Sequence, residues 1–209
     1  MKIFFKFFQI FKTNKFFFKG LFAYGNGCKI YNLTISDVEL ETNSNNVAIV
    51  FSRCENCKMD NIEITTSSEE KRNKIEGAQN VGGLASILEN SEIRNCSISN
   101  TDFFSTCKSQ VSMGSFASIV SHSIMGDCSI KNNNFLVFDE KTFSHFRFVD
   151  DQDYYCSTAL VGGFAGSSFY TNITYGESIY NTFNSSSFDS VVGAIVGYQG
   201  FKIIFLLFF

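Results

Sequence analysis

The sequence predicts an all-β chain wound as an elongated solenoid of about six imperfect repeats, each roughly 30 residues long. Three observations lead there. A short apolar, glycine-containing string returns along the chain. Residues at fixed distances after each return keep their character. The stretch between the chain ends is rich in Ser, Asn, Gly, Ile and Val, a composition suited to many short strands and turns.

The string VGGLAS at 81–86 returns as VGGFAG at 161–166, and more loosely as MGSFAS at 113–118 and VGAIVG at 192–197. Two weaker copies come earlier, FKGLFA at 18–23 and VAIVFS at 47–52. Successive copies start 29, 34, 32, 48 and 31 residues apart, so one interval carries an insertion, expected at about 131–158. Twelve residues after each start stand Ile30, Met59, Ile93, Met125 and Ile173. Fifteen after stand Leu33, Ile62, Cys96, Cys128 and Gly176, and seventeen after stand Ile35, Ile64, Ile98, Ile130 and Ser178. The residues between them, Thr34, Glu63, Ser97, Ser129 and Glu177, are all polar.

That alternation is the period of a strand with one buried face. Each unit is therefore expected to hold one strand in the VGGLAS segment and a second in the IRNCSI segment, with a shorter apolar patch such as Phe103-Phe104 in some units. No unit can bury its apolar face alone, whereas stacked units align like residues into inward ladders. The glycine pairs mark bends or close approach between coils. Asn32, Asn61 and Asn95 share the position fourteen after the start. They are expected as an asparagine ladder at a bend, because Asn tolerates the left-handed backbone and bonds its stacked neighbours.

At these residues the chain resembles the GLUG-motif proteins, whose tandem glycine-rich repeats occur in large surface and secreted proteins. VGGLAS followed by SEIRNCSIS carries the resemblance best, over 81–98. The copies at 113–130 and 161–173 are fair matches, and in the second copy Ala48-Ile49 replaces the glycine pair. The resemblance implies a right-handed parallel β-helix-like solenoid spanning 18–198. It implies surface display, adhesion or ligand binding without catalytic residues, with cell-surface glycans or proteins as partners. The alternative is a pectin-lyase-like β-helix enzyme acting on polysaccharide, which would need paired acids on one face.

The acids available for such a site lie in the insertion: Asp139, Glu140, Asp150, Asp151 and Asp153. Asp150, Asp151 and Asp153 are the candidate ligand-binding residues, weighed against a solvated loop. His122 and His145 have no recognisable partners and read as structural or exposed. Cys54-Glu55-Asn56-Cys57 is a C-x-x-C without a second pair, so no metal or cofactor is expected there. Seven scattered cysteines, an odd number, do not indicate a disulfide framework; Cys57, at the repeat position of Ser91 and Ser123, and the pair Cys96 and Cys128 read as small core residues. Asn32, Asn95, Asn172 and Asn184 each open an N-x-S/T triplet, a glycosylation acceptor in a secreted chain.

Net charge is −3, with no basic excess to favour nucleic acid. The ends differ from the middle: nine of the 26 phenylalanines lie in residues 1–22 and four in 201–209. Lys2, Lys6, Gln9, Lys12, Lys15 and Lys19 recur every three or four residues, the pattern of a basic amphipathic helix able to lie on a membrane. The alternative is that residues 1–17 are foreign to the folded protein. Residues 199–209 form an apolar tail, and 191–209 would suit a terminal membrane helix. The repeat register of VGAIVG favours a sixth repeat instead, and with no polar cap at either end the chain reads as part of a longer array.

Overall fold

Alternating inward ladders require each strand to lie beside its counterpart one repeat later, and the computed structural model has this arrangement. It describes residues 3–6, 18–107, 110–139, 158–185 and 189–200. Among these residues every regular element is a strand, and the strands pair in parallel with the equivalent strand of the next repeat. The result is a β-solenoid of five coils with a sixth begun.

Each full coil has four faces rather than the two strands and occasional patch expected. The first face stacks Phe18–Lys19, Asn46–Ala48, Asn80–Gly82, Gln110–Gly114, Thr158–Gly162 and Asp189–Gly193. The second stacks Phe22–Asn26, Phe51–Glu55, Ala85–Glu89, Ala117–Ser121, Ala165–Phe169 and Val196–Gly200. The third runs through Lys29–Ser36, Lys58–Thr65, the pair Glu92–Arg94 and Ser97–Ser99, Ile124–Lys131 and Asn172–Ile179. The fourth holds Glu39–Glu41, Asn73–Gly77, Thr101–Cys107, Asn134–Asp139 and Thr182–Ser185.

The VGGLAS segment is thus two strands meeting at a bend, not one. A β-carbon on Gly83 would stand 2.2 Å from the Ser115 carbonyl oxygen of the next coil, so backbones touch there. The bend survives in the second copy, where Ile49 N–H donates to the Gly83 carbonyl (2.8 Å) and Gly83 N–H to that of Ser115 (2.7 Å). Ladder hydrogen bonding between coils carries the bend where glycine is missing.

The inward rows follow the sequence pattern. Ile35, Ile64, Ile98 and Ile130 are buried in line, as are Met59, Ile93, Met125 and Ile173, while Glu63 between Ile62 and Ile64 is exposed. On the fourth face Phe103, Phe135 and Phe183 stack at 4.9 Å between successive ring centroids, with the planes 5° apart. Phe116 and Phe164 meet edge to face at 4.9 Å. Each buried side chain of this size contributes about 1.5–3 kcal/mol.

Two end segments differ from one of the readings above. Residues 3–6 form a strand, not part of an amphipathic helix, and pair with the third face in the register Ile3↔Leu33 and Phe5↔Ile35. Pairing of this kind satisfies the open edge of the first coil. Asp189–Gly193 and Val196–Gly200 are strands in repeat register, and no helix among the described residues is long and apolar enough to cross a membrane. Of the insertion expected at 131–158, Asn134–Asp139 forms the fourth-face strand of coil four, and 140–157 lie outside the described residues.

Ile98 sits in the middle of the longest isoleucine row. Ile98→Ala is expected to cost about 2–5 kcal/mol in urea unfolding. Ile87→Ala, on the partly exposed outer side of the second face, should cost much less. Equal losses would contradict the assignment of inner and outer rows.

Candidate functional site

The described left-handed residues obey one rule. With repeats counted from Phe18, Val47, Val81, Met113 and Val161, all fall nine, fourteen or nineteen positions after a start. At nine stand Gly27, Asn56, Asn90, His122 and Tyr170, and at fourteen Asn32, Asn61, Asn95, Asp127 and Tyr175. At nineteen stand Asp37, Asn100, Asn132 and Tyr180. These are the corners of the coil.

Asn suits such corners for two reasons. Its short amide tolerates positive φ, and it reaches an asparagine one coil away. Asn61 Nδ2 donates to Asn32 Oδ1 (2.7 Å), Asn56 Nδ2 to Asn26 Oδ1 (3.1 Å) and Asn132 Nδ2 to Asn100 Oδ1 (2.7 Å). In coil three Asn95 turns instead to Asp60 Oδ1 (2.8 Å). The expected ladder is present, with one rung displaced.

The residue after a corner bridges the coils. Ser91 Oγ accepts the Cys57 N–H (3.0 Å) and donates to the Glu89 carbonyl (2.7 Å). Ser123 Oγ repeats this with Ser91 N–H (3.1 Å) and the Ser121 carbonyl (2.7 Å). On the opposite side buried Asn73 Oδ1 accepts Val38 N–H (2.9 Å), Asn133 Oδ1 accepts Thr101 N–H (3.0 Å) and Asn181 Oδ1 accepts Asn133 N–H (2.9 Å).

In the first two coils the bridging residue at ten is cysteine. Cys28 and Cys57 stack directly and are joined by a disulfide, with Cα atoms 4.7 Å apart. The reading of Cys57 as an unpaired core cysteine is corrected here, because consecutive repeats place equal positions side by side. Cys54, from the same C-x-x-C, is a buried thiol whose sulfur lies within 4.8 Å of both disulfide sulfurs. Burial pushes its pKa up to about 12. Cys96 and Cys128 are also free and buried, as expected of core cysteines; the Cys96 contact and burial push the Cys128 thiol up.

Coil five departs in another way. Tyr170, Tyr175 and Tyr180 occupy its three corners, with φ near 50° and exposures of 56%, 59% and 82%. The Tyr170 ring stacks on His122 of coil four, centroids 4.9 Å apart and planes 22° apart. Exposed polar residues lie among them: Asn172, Glu177, Thr182 and Asn184.

Of the residues singled out in the sequence, Asn32 and Asn95 are exposed corners, and Asn172 and Asn184 are exposed on the third and fourth faces of coil five. His122 is an exposed corner. Asp150, Asp151, Asp153, Glu140 and His145 lie outside the described residues. Sequence reading missed the Cys28–Cys57 pairing and the tyrosine corners. The signal for both lies in positions nine, ten, fourteen and nineteen followed through all five coils.

Parallel coils, inward ladders and left-handed corners in register define a β-solenoid repeat protein. The GLUG motif matches residues 77–102, which agrees with the resemblance at 81–98. The matched stretch is one turn, from the end of the fourth-face strand Asn73–Gly77 to the start of the next, Thr101–Cys107. No curated protein and no solved structure matches the chain.

A disulfide spanning 29 positions removes roughly 3–4 kcal/mol of loop entropy from the unfolded chain. Reducing it is expected to speed amide exchange in residues 22–41 while leaving 110–139 protected. Uniform loss of protection would contradict its role as a clasp on the first two coils.

Proposed function

We propose that the chain is a non-enzymatic repeat module for display at the cell surface, and that coil five binds glycans through its tyrosine corners. The observation that carries this reading is the replacement of Asn, Asp, His and Gly by tyrosine at all three corners of one coil. A bulky side chain at positive φ is a backbone outlier with a conformational cost of about 1 kcal/mol. Tyr180, 82% exposed, recovers little of that cost by burial. Strain held at an exposed position points to use of the side chain.

A tyrosine ring presents a large, rigid, amphipathic surface at low entropic cost. Its face suits the C–H side of a pyranose, and the nearby amides, carboxylate and hydroxyl suit sugar hydroxyls. The solenoid holds these groups on a fixed lattice, with strands about 4.8 Å apart. Binding therefore requires no ordering of a loop, which lowers its entropic cost.

Two measurements test this on the full chain made in a host without N-glycosylation, so that Asn172 and Asn184 stay bare. The wild type should bind members of a glycan array, and the triple variant Tyr170→Asn, Tyr175→Asn, Tyr180→Asn should lose at least about tenfold in affinity. The same variant should unfold at a higher temperature, each change adding about 0.5–1 kcal/mol by relieving the corner. Retained glycan binding, or a less stable triple variant, would contradict the reading.

A further inference from the structure

We infer that Cys28, Cys54 and Cys57 form a three-thiolate site for a soft metal ion, Zn2+ in the first instance, when the Cys28–Cys57 bond is reduced. The inference is independent of the glycan reading and rests on the opposite end of the rod.

The three sulfurs lie within 4.8 Å of one another. Two thiolates on one tetrahedral zinc stand about 3.8 Å apart, given Zn–S of about 2.3 Å. Movements of about 1 Å therefore suffice to bring all three onto one ion. Two different parts of the fold supply them. Cys54 and Cys57 flank the left-handed corner at Asn56 (φ 54°), which turns the chain so that residues three apart face the same point. Cys28 follows the equivalent corner at Gly27 (φ 65°) one coil earlier. The site is thus held by the corners and by coil stacking, and a mobile loop contributes nothing to it.

A second feature favours the anionic sulfur at Cys57. The Cys28 backbone N–H points at Cys57 Sγ (3.3 Å), the position at which an amide stabilises a metal-bound thiolate. Cys54 and Cys57 are buried and Cys28 is half-buried, so the site reaches the surface on the Cys28 side and the fourth position is left to water or an external ligand. The other stacked pair, Cys96 and Cys128, is not part of a three-ligand group among the described residues.

The chemistry balances with a dithiol as reductant. It delivers two electrons and two protons to the Cys28–Cys57 bond, leaving two thiols, and closes to its own disulfide. Three thiols then each lose a proton as three sulfur–zinc bonds form. Oxidation to the disulfide and metal binding are alternative states of the same corner, chosen by the redox surroundings.

The test uses the full chain, reduced with a dithiol and freed of it under argon. One equivalent of Zn2+ is added, free thiols are alkylated, and the modified cysteines are mapped by mass spectrometry. The protection gained on adding zinc should fall on Cys28, Cys54 and Cys57, and Co2+ in its place should give a thiolate charge-transfer band. Cys54→Ala should weaken Zn2+ binding by about 100-fold or more, and Cys128→Ala by less than about threefold. Circular dichroism checks that both variants keep their strands. Should Cys54→Ala fail to fold, the wild-type mapping decides alone. Zinc-dependent protection at other cysteines, none at all, or a Co2+ spectrum without the thiolate band would overturn the inference.

Discussion

Nine, fourteen and nineteen positions after a repeat start the chain turns through a left-handed residue, at all of these places in coils one to five but Thr66, and the amides beyond it lose their strand partners. Those groups cannot be left bare in a stack whose interior is dry. The solenoid answers with one arrangement used repeatedly. A corner residue turns the chain, and the next residue, Ser91, Ser123, Asn133 or Asn181, accepts an N–H from the adjacent coil. Because the corners recur five positions apart, each coil offers its neighbour a row of acceptors in register. The hydrophobic ladders are then free to align, since isoleucine over isoleucine and phenylalanine over phenylalanine require the corners to stay in step.

The same positions carry the chemical individuality of the chain. Cysteine replaces the bridging hydroxyl in the first two coils, and stacking converts this into a covalent link between them. Tyrosine replaces asparagine at the corners of coil five, and an outward turn becomes a platform. The inner rows continue past both changes, although in coil five Gly176, Ser178 and Ser168 stand where earlier coils have larger apolar residues. Variation in a repeat protein of this kind is confined to where the coil faces water or its neighbour's backbone, which is also where binding can be gained without refolding the core.

Much of this was legible from the residues. The repeat starts, the inward positions at fifteen and seventeen and the asparagine row at fourteen were all visible, because stacking forces equal positions to be chemically alike. The four-faced coil was less visible. A strand of three residues such as Asn80–Gly82 has no room for a period-two signal, and a bend at Gly83-Leu84 looks like a strand interior when only the apolar string is read. The disulfide escaped because position ten holds Ser91 and Ser123 as well as Cys28 and Cys57, and a cysteine in a row with serines reads as a small core residue. The amphipathic pattern in residues 2–19 was misleading for 3–6, where an open sheet edge outweighs helical spacing.

The account stands on the order in which coils stack, and methyl-labelled isoleucine in solution reports that order directly. Nuclear Overhauser contacts among the row Ile35, Ile64, Ile98 and Ile130 should link each methyl to the one in the adjacent coil. Ile64 should see Ile98, and Ile98 should see Ile130. A contact between Ile64 and Ile130, two coils apart, or the absence of a contact between Ile64 and Ile98, would mean that the repeats do not stack in register.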